Sequence, residues 1–320
     1  MKLIRLNSFL YLFCILSVFA SCVQKPDSSV EDWNRTFINT KKLISEACLD
    51  RELILGRPFL IQYVDSSLLI YDDIGDSLFL LVDLKENDRV YRFGQKGEGN
   101  NEFLQVFAFC NMKSDSILGV YDAYKHELRE INLDKVKRGE MNFPVVFKDT
   151  LSSIKLSPTK YDAYLGLGFY ESNMLSLTDN SIGSKFFFEY PYKDSREKAI
   201  SNRLRGMAYQ GTLCSNRSLD KFLYAVCSAP IFMLFSVNKD GIEKTYELIG
   251  GYPNYVTEET GEYRSAPMSA DNKMSFTMAY ATDNYIYLLY SGKNFRDAGM
   301  DAFKANVIYQ LSWNGKPINK

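Results

Sequence analysis

The residues that could do chemistry are few and poorly spaced for it. Histidine occurs once in 320 residues, as His126. No His-based metal site can be assembled from it, and neither H-E-x-x-H nor C-x-x-C spacing is present. Its setting, DAYKHELRE, reads as a solvated turn. No G-x-S-x-G marks a nucleophile elbow. Asp72, Asp73 and Asp76 offer hard oxygen ligands of the kind calcium takes, but their spacing departs from D-x-D-x-D-G. Asx-type turn chemistry explains them better. Gly94, Gly97 and Gly99 in RVYRFGQKGEGNNEF invite comparison with phosphate-cradling loops. The order is G-x-x-G-x-G, no Lys-Ser/Thr follows, and strand-like rather than helical sequence comes next. A crossover between two sheets fits better, with the glycines at positive φ and Phe103 plugging the junction. No catalytic residue, cofactor or metal is expected.

One cysteine is an exception. Lys2 and Arg5 precede a short apolar run, LYLFCILSVF, too short to span a bilayer comfortably. The run closes on Phe19-Ala20-Ser21-Cys22, which resembles the bacterial lipobox, with Phe19 replacing the usual aliphatic residue. The resemblance implies cleavage before Cys22 and acylation of its sulfur and new amino group. The expected organisation is a signal peptide over residues 1–21, a flexible tether over 22–31 and one domain over 32–320. Several acyl chains, at about 0.8 kcal/mol per buried methylene, hold a protein on a membrane.

Composition narrows the remainder. The net charge is −1, and two units lower once Lys2 and Arg5 are removed, so nothing favours nucleic acid as a partner. The 22 Tyr and 22 Phe, with β-branched residues throughout, favour strands. Weak 3.6-period patterns predict short helices over residues 41–49, 195–204 and 296–303. Cys48, Cys110, Cys214 and Cys227 are too sparse for a disulfide framework. Cys110 and Cys227 read as buried strand positions, and Cys214–Cys227 is the only pairing worth testing.

The elements that would carry these residues repeat. SLLIYDDIGDSLFLLVDL (67–84) overlays SILGVYDAYKHELREINL (116–133), each with a β-rich run closing on Tyr-Asp, a polar turn and a second β-rich run. The offset of about fifty residues is the length of one four-stranded propeller blade. Blade-like units fall over 56–94, 103–147, 151–190, 207–248 and 274–311.

The segments LGRPFLIQYVDSSLLIYD, RFGQKGEGNNEF and WNGKP together resemble the TolB-like six-bladed β-propeller lipoproteins of Bacteroidota, and the glycine loop resembles that of NHL-like propellers. Asn100-Asn101 stands where those loops carry Pro-Gly. The resemblance implies an all-β, β-propeller fold of the six-bladed type and brings no catalytic residues with it. About five blades fit residues 56–320. Either the last blade is missing at the C-terminus, the favoured expectation, or residues 32–55 supply strands to a shared blade. The functional expectation is an outer-membrane lipoprotein facing the periplasm or the cell surface. It would act as a non-enzymatic binding module for an envelope protein, peptide or glycan. The alternative is an envelope hydrolase or lyase with acid, Tyr and Arg groups in the central funnel.

Overall fold

The computed structural model describes residues 29–46, 53–74, 77–86, 89–179, 183–261 and 263–320. Cys22, Cys48 and Asp76 lie outside these residues. The two overlaid segments become equivalent hairpins, the middle pairs of neighbouring four-stranded sheets. Blade 1 is β1 (Pro58–Val64), β2 (Ser67–Asp72), β3 (Phe79–Asp83) and β4 (Arg89–Phe93). A parallel pair, β5 (Gln95–Lys96) and β6 (Glu102–Phe103), forms the crossover. Blade 2 is β7 (Val106–Asn111), β8 (Ile117–Asp122), β9 (Glu127–Asn132) and β10 (Val145–Lys148).

Blade 3 comprises β11 (Lys155–Pro158), β12 (Tyr164–Leu167), β13 (Leu175–Asp179) and β14 (Gly183–Phe187). Blade 4 comprises β15 (Gly211–Ser215), β16 (Lys221–Val226), β17 (Ile231–Val237) and β18 (Ile242–Ile249). A hairpin, β19 (Glu258–Thr260) and β20 (Tyr263–Ser265), precedes blade 5. That blade is β21 (Phe276–Ala281), β22 (Tyr285–Tyr290), β23 (Val307–Ser312) and β24 (Pro317–Asn319). Every blade is an antiparallel meander in chain order, and the first strands of consecutive blades touch, so they line the centre. The upper face is defined here as the one where those first strands begin.

Each of the four seams between consecutive blades has an apolar core. Leu69, Phe79 and Leu81 of blade 1 meet Phe103, Val106 and Leu118 at the first seam. Tyr121 and Leu128 meet Leu156 at the second. The third buries Leu165 and Leu175 against Tyr224 and Met233, and the fourth packs Phe232 and Leu234 on Phe276 and Leu288. Packing on both faces explains the nearly unbroken apolar run of β3, all five residues of which are buried. The far face of blade 1 (Ile70, Leu80, Val82) is covered by Leu53 and Leu55. The far face of blade 5 keeps Met278 and Ile308 exposed. Among the described residues no core cluster joins blades 1 and 5.

Two sequence expectations fail at the N-terminus. Residues 41–46 form no helix, while a helix the periodicity missed, α1 (Val30–Arg35), begins inside the stretch read as tether. The Ser29 side chain caps it by accepting the Asp32 N–H at 3.1 Å. Six residues are too few to display a period, but one of them, Trp33, is buried in the seam of blades 4 and 5. The chain then runs beside the last strand, where the Lys41 N–H donates to Lys320 (2.8 Å) and the Lys320 N–H to Asn39 (3.0 Å). This segment thus adds backbone bonds to blade 5 without forming a full strand among the described residues.

The short helices expected near residues 195–204 and 296–303 are present. A further one, α2 (Leu133–Lys137), lies in blade 2 and is followed by α3 (Ser195–Lys198) and α4 (Asn202–Ala208). Blade 5 carries α5 (Phe295–Ala298), continued by a 3-10 turn over Gly299–Phe303.

In the crossover loop Gly94 has φ +73°, and a Cβ there would sit 2.5 Å from the buried ring of Phe79. Left-handed backbone and ring collision together should make Gly94→Ala cost about 3 kcal/mol. Gly139 has φ +82° with nothing within 4 Å, so Gly139→Ala should cost only about 1 kcal/mol. Urea titration of both variants checks this, and equal costs would remove Phe79 from the account. Gly97 and Gly99 are needed for space near the Glu102 carboxylate, which accepts the Gly99 N–H at 2.8 Å. Gly99 does not take positive φ, contrary to expectation. Phe103 is fully buried, edge-on to Phe79 with ring centres 4.9 Å apart.

Candidate functional site

A largely apolar concave feature opens on the upper face, between blades 1, 4 and 5. It encloses about 590 Å³. Phe59 reaches it from β1, Met268 and Met274 from the link into blade 5, Cys227 from the end of β16, and Phe295 and Phe303 from the helical insertion of blade 5. Strand geometry explains Phe59: β1 alternates, and its outward face has no neighbouring blade against it. Phe295 and Phe303 sit at the two ends of a nine-residue excursion, held at its start by the Asn294 cap on Asp297 (2.8 Å). Phe59 is 54% exposed, Phe295 and Phe303 46% and Met268 43%. Apolar side chains this exposed and this convergent make the mouth the candidate site.

Among the residues lining this mouth only Cys227 titrates, and burial pushes its thiol up to about 11. At neutral pH it is a protonated, unreactive hydrophobe. Burial likewise pushes Cys214 up to about 12 and raises Cys110.

Polar constellations lie nearby, with most of their hydrogen bonds made internally. Beneath the upper face, Glu197 accepts the hydroxyls of Tyr209 and Tyr255, each at 2.8 Å. Burial, reinforced by the Glu197 charge, raises both tyrosines far above their ordinary value, so both remain donors. The neighbouring Arg205 is buried, donates to the Tyr190 carbonyl (2.9 Å) and Glu189 (3.0 Å), and lies over the Tyr192 ring. These bonds hold α3 and α4 on blade 4, while the buried Arg205 Nε–H has no partner among the described residues. On the inner wall, Lys155 donates to the Phe107 carbonyl across the second seam, and burial lowers its ammonium to about 8. Lys155 does not line the mouth.

The match that decides the family covers nearly the whole fold: residues 36–320 fit the model described as TolB-like 6-blade propeller-like. The chain is a member of the TolB-like propeller family. Its five four-stranded blades thus belong to a family whose propellers are described as six-bladed. No curated protein matches it. Among solved structures it is similar to a Bacteroides fragilis protein described as exported. Identity there is 11%, with 88% of this chain and 73% of that one covered, at TM-score 0.47. A DUF4221 member from Bacteroides vulgatus is 11% identical over 83% and 80% of the two chains, at TM-score 0.43. A protein of unknown function from Bacteroides caccae is 9% identical over 81% and 78%, at TM-score 0.44.

The sequence-level candidates distribute unevenly over this TolB-like propeller. His126 is half-buried at a positive φ of 54°, with its Nδ1 enclosed, rather than solvated as expected. Asp72 serves the turn: its carboxylate accepts the N–H groups of Gly56 (2.6 Å) and Arg57 (2.8 Å), while Asp73 pairs with Arg57. No cluster of His, Cys, Asp or Glu suited to a metal exists among the described residues. Cys214 and Cys227 are both free. Cys214 faces Leu223 on β16 and Cys227 lies four positions further along, a separation of roughly 13 Å at strand spacing, too far for a disulfide. The mouth escaped the sequence reading because its residues come from three blades. The only local signal was the helical pattern at 296–303, preceded by Phe295 and ending on Phe303.

Proposed function

We propose that this protein is an envelope lipoprotein, tethered through acylated Cys22, whose propeller is a non-enzymatic binding module using the upper-face mouth. The observation that carries the reading is the mouth itself: several half-exposed Phe and Met side chains around one cavity, with a protonated thiol as its sole titratable group. Such a surface gains free energy by excluding water from apolar groups and has nothing with which to move a proton. The tether rests on the charged start, the short apolar run and Ala20-Ser21 before Cys22. No described helix is long and apolar enough to cross a membrane. The lipid anchor then supplies the membrane association, and display in the outer membrane follows the lipoprotein pattern. The hydrolase or lyase alternative is favoured by one observation, the lowered ammonium of Lys155, which supplies some neutral amine near neutral pH. Its separation from the mouth leaves binding as the better reading.

Two measurements on the full chain test this. Mass spectrometry of the N-terminal peptide should show cleavage before Cys22 and added acyl mass, and Cys22→Ala should leave the membrane fraction. A photo-reactive residue at position 303 should give a discrete adduct in envelopes, absent when placed at Asn238 on the opposite face. An unmodified Cys22, or identical labelling from both positions, contradicts the respective half.

A further inference from the structure

The polar atoms around the mouth say what kind of ligand it can take. Asn272 is spent at both ends on Asn254, accepting its N–H (2.8 Å) and donating to its carbonyl (2.9 Å). The Thr277 hydroxyl donates to the Leu289 carbonyl (3.3 Å) and the Ser269 hydroxyl to Asp271 (3.4 Å). Of the charges nearby, Arg296 pairs with Asp271 and Lys304 with Asp301, while Lys273 and Lys293 lie outside the lining. A hydroxyl-rich sugar would lose water from many polar groups here and recover few hydrogen bonds, a cost of about 1–3 kcal/mol for each group left unpaired. An anionic ligand would find no free cation in the lining. Among the side chains lining the mouth, what remains available is the Thr212 hydroxyl and the side-chain oxygen of Gln210, whose Nε2 is held by the Met207 carbonyl (3.0 Å). One donor–acceptor pair beside an apolar wall suits a backbone amide. A pure hydrocarbon chain would leave that pair without use.

Resting on the reading of the mouth as the binding surface, we propose that it takes a bulky, uncharged apolar side chain from an extended peptide segment of a partner protein. The Phe and Met side chains surround the inserted group. Gln210 and Thr212 fix the adjoining backbone, and the surrounding charged side chains form the rim. Flexible Met268 and Met274 let the wall adapt to aromatic or branched side chains. This is the arrangement of an apolar anchor inside a polar ring that dominates many protein interfaces.

The test selects a random-peptide phage library on the full chain in nanodiscs, then measures binding of the enriched peptides, of dextran oligosaccharides and of palmitate. The expected result is a consensus centred on a bulky apolar residue. Affinity should fall about tenfold or more in Phe295→Ala and Phe303→Ala, and less in Gln210→Ala. Circular dichroism and melting temperature report whether each variant folds. Met268→Glu, which puts a charge into the mouth from a half-exposed site, gives a second route to the same loss. If dextran or palmitate binds instead and is lost in the Phe variants, the mouth stands and the peptide assignment falls. If enriched peptides are charged, or bind regardless of Phe295, Phe303 and Met268, the mouth falls with it. Failure to enrich any peptide also overturns the proposal.

Discussion

Replacing Trp33 by alanine should remove about 4 kcal/mol of stability, a loss in the range of large-to-small changes at buried aromatics. The indole is 4% exposed and packs on Phe37 (ring centres 5.0 Å), Phe232 (5.6 Å) and Tyr309 (4.7 Å), so it fills the seam of blades 4 and 5 from outside. Its N–H has no partner among the described residues. Trp33→Phe should therefore lose no hydrogen bond and cost only about 1 kcal/mol. Chemical denaturation of the two variants separates the possibilities. A small effect for Trp33→Ala would mean that α1 merely rests on the propeller. Equal effects for both substitutions would mean that the indole N–H matters after all.

The second large effect is expected at Asp122. Its fully buried carboxylate accepts four backbone N–H groups: Leu104 (2.6 Å), Gln105 (3.2 Å), Tyr124 (3.1 Å) and Lys125 (3.1 Å). Two belong to the chain entering blade 2 and two to the turn after β8, so one side chain ties the crossover to the hairpin. Asp122→Ala orphans all four donors and should cost about 4 kcal/mol. Asp122→Asn keeps one acceptor oxygen and should cost about half as much.

Asp72 occupies the equivalent place in blade 1 and adds a pH dependence. Burial opposes its charge, but the N–H groups of Arg57 and Gly56 outweigh burial and hold the carboxyl below its ordinary value of 3.8. A depressed folded value stabilises the fold above the unfolded value and ceases to do so as pH falls through the folded one. The penalty of Asp72→Asn should then be constant from pH 7 to about 5 and shrink below about pH 4. A penalty unchanged into acid would show that the carboxylate charge contributes nothing.

These two aspartates show how far local pattern reaches. Tyr71-Asp72 and Tyr121-Asp122 were visible as a repeat because each blade closes its own hairpin and receives its own entering strand with the same side chains. The tyrosines carry the second half of the device. Tyr121 donates to Asp149 (2.8 Å) and the Ser153 carbonyl (3.0 Å) at the entrance to blade 3. The Val106 N–H, at the start of blade 2, reaches the Tyr71 hydroxyl at 3.5 Å. Only the fold reveals this hand-over from one blade to the next.

The sequence alone determined the blade pattern, the spans of the first four blades, the crossover glycine Gly94 and the lack of any motif for metal or nucleophilic chemistry; the fifth span, 274–311, stopped short of β24 (Pro317–Asn319). Each depends on residues close in the chain: strand pairs joined by short turns, or a glycine whose backbone admits no Cβ. Tertiary structure decided the rest. The anchoring of Trp33 joins residue 33 to residues 232 and 309. The satisfaction of Glu197 by Tyr209 and Tyr255 spans two inter-blade links, and the separation of Cys214 from Cys227 is a matter of strand register. The mouth unites Phe59 with Phe295 and Phe303, more than two hundred residues away in sequence. A propeller stacks its repeats around an axis, so its seams are written blade by blade. Its upper face collects the links between blades and the turn after each blade's second strand, and what they enclose depends on a ring geometry that no local stretch encodes.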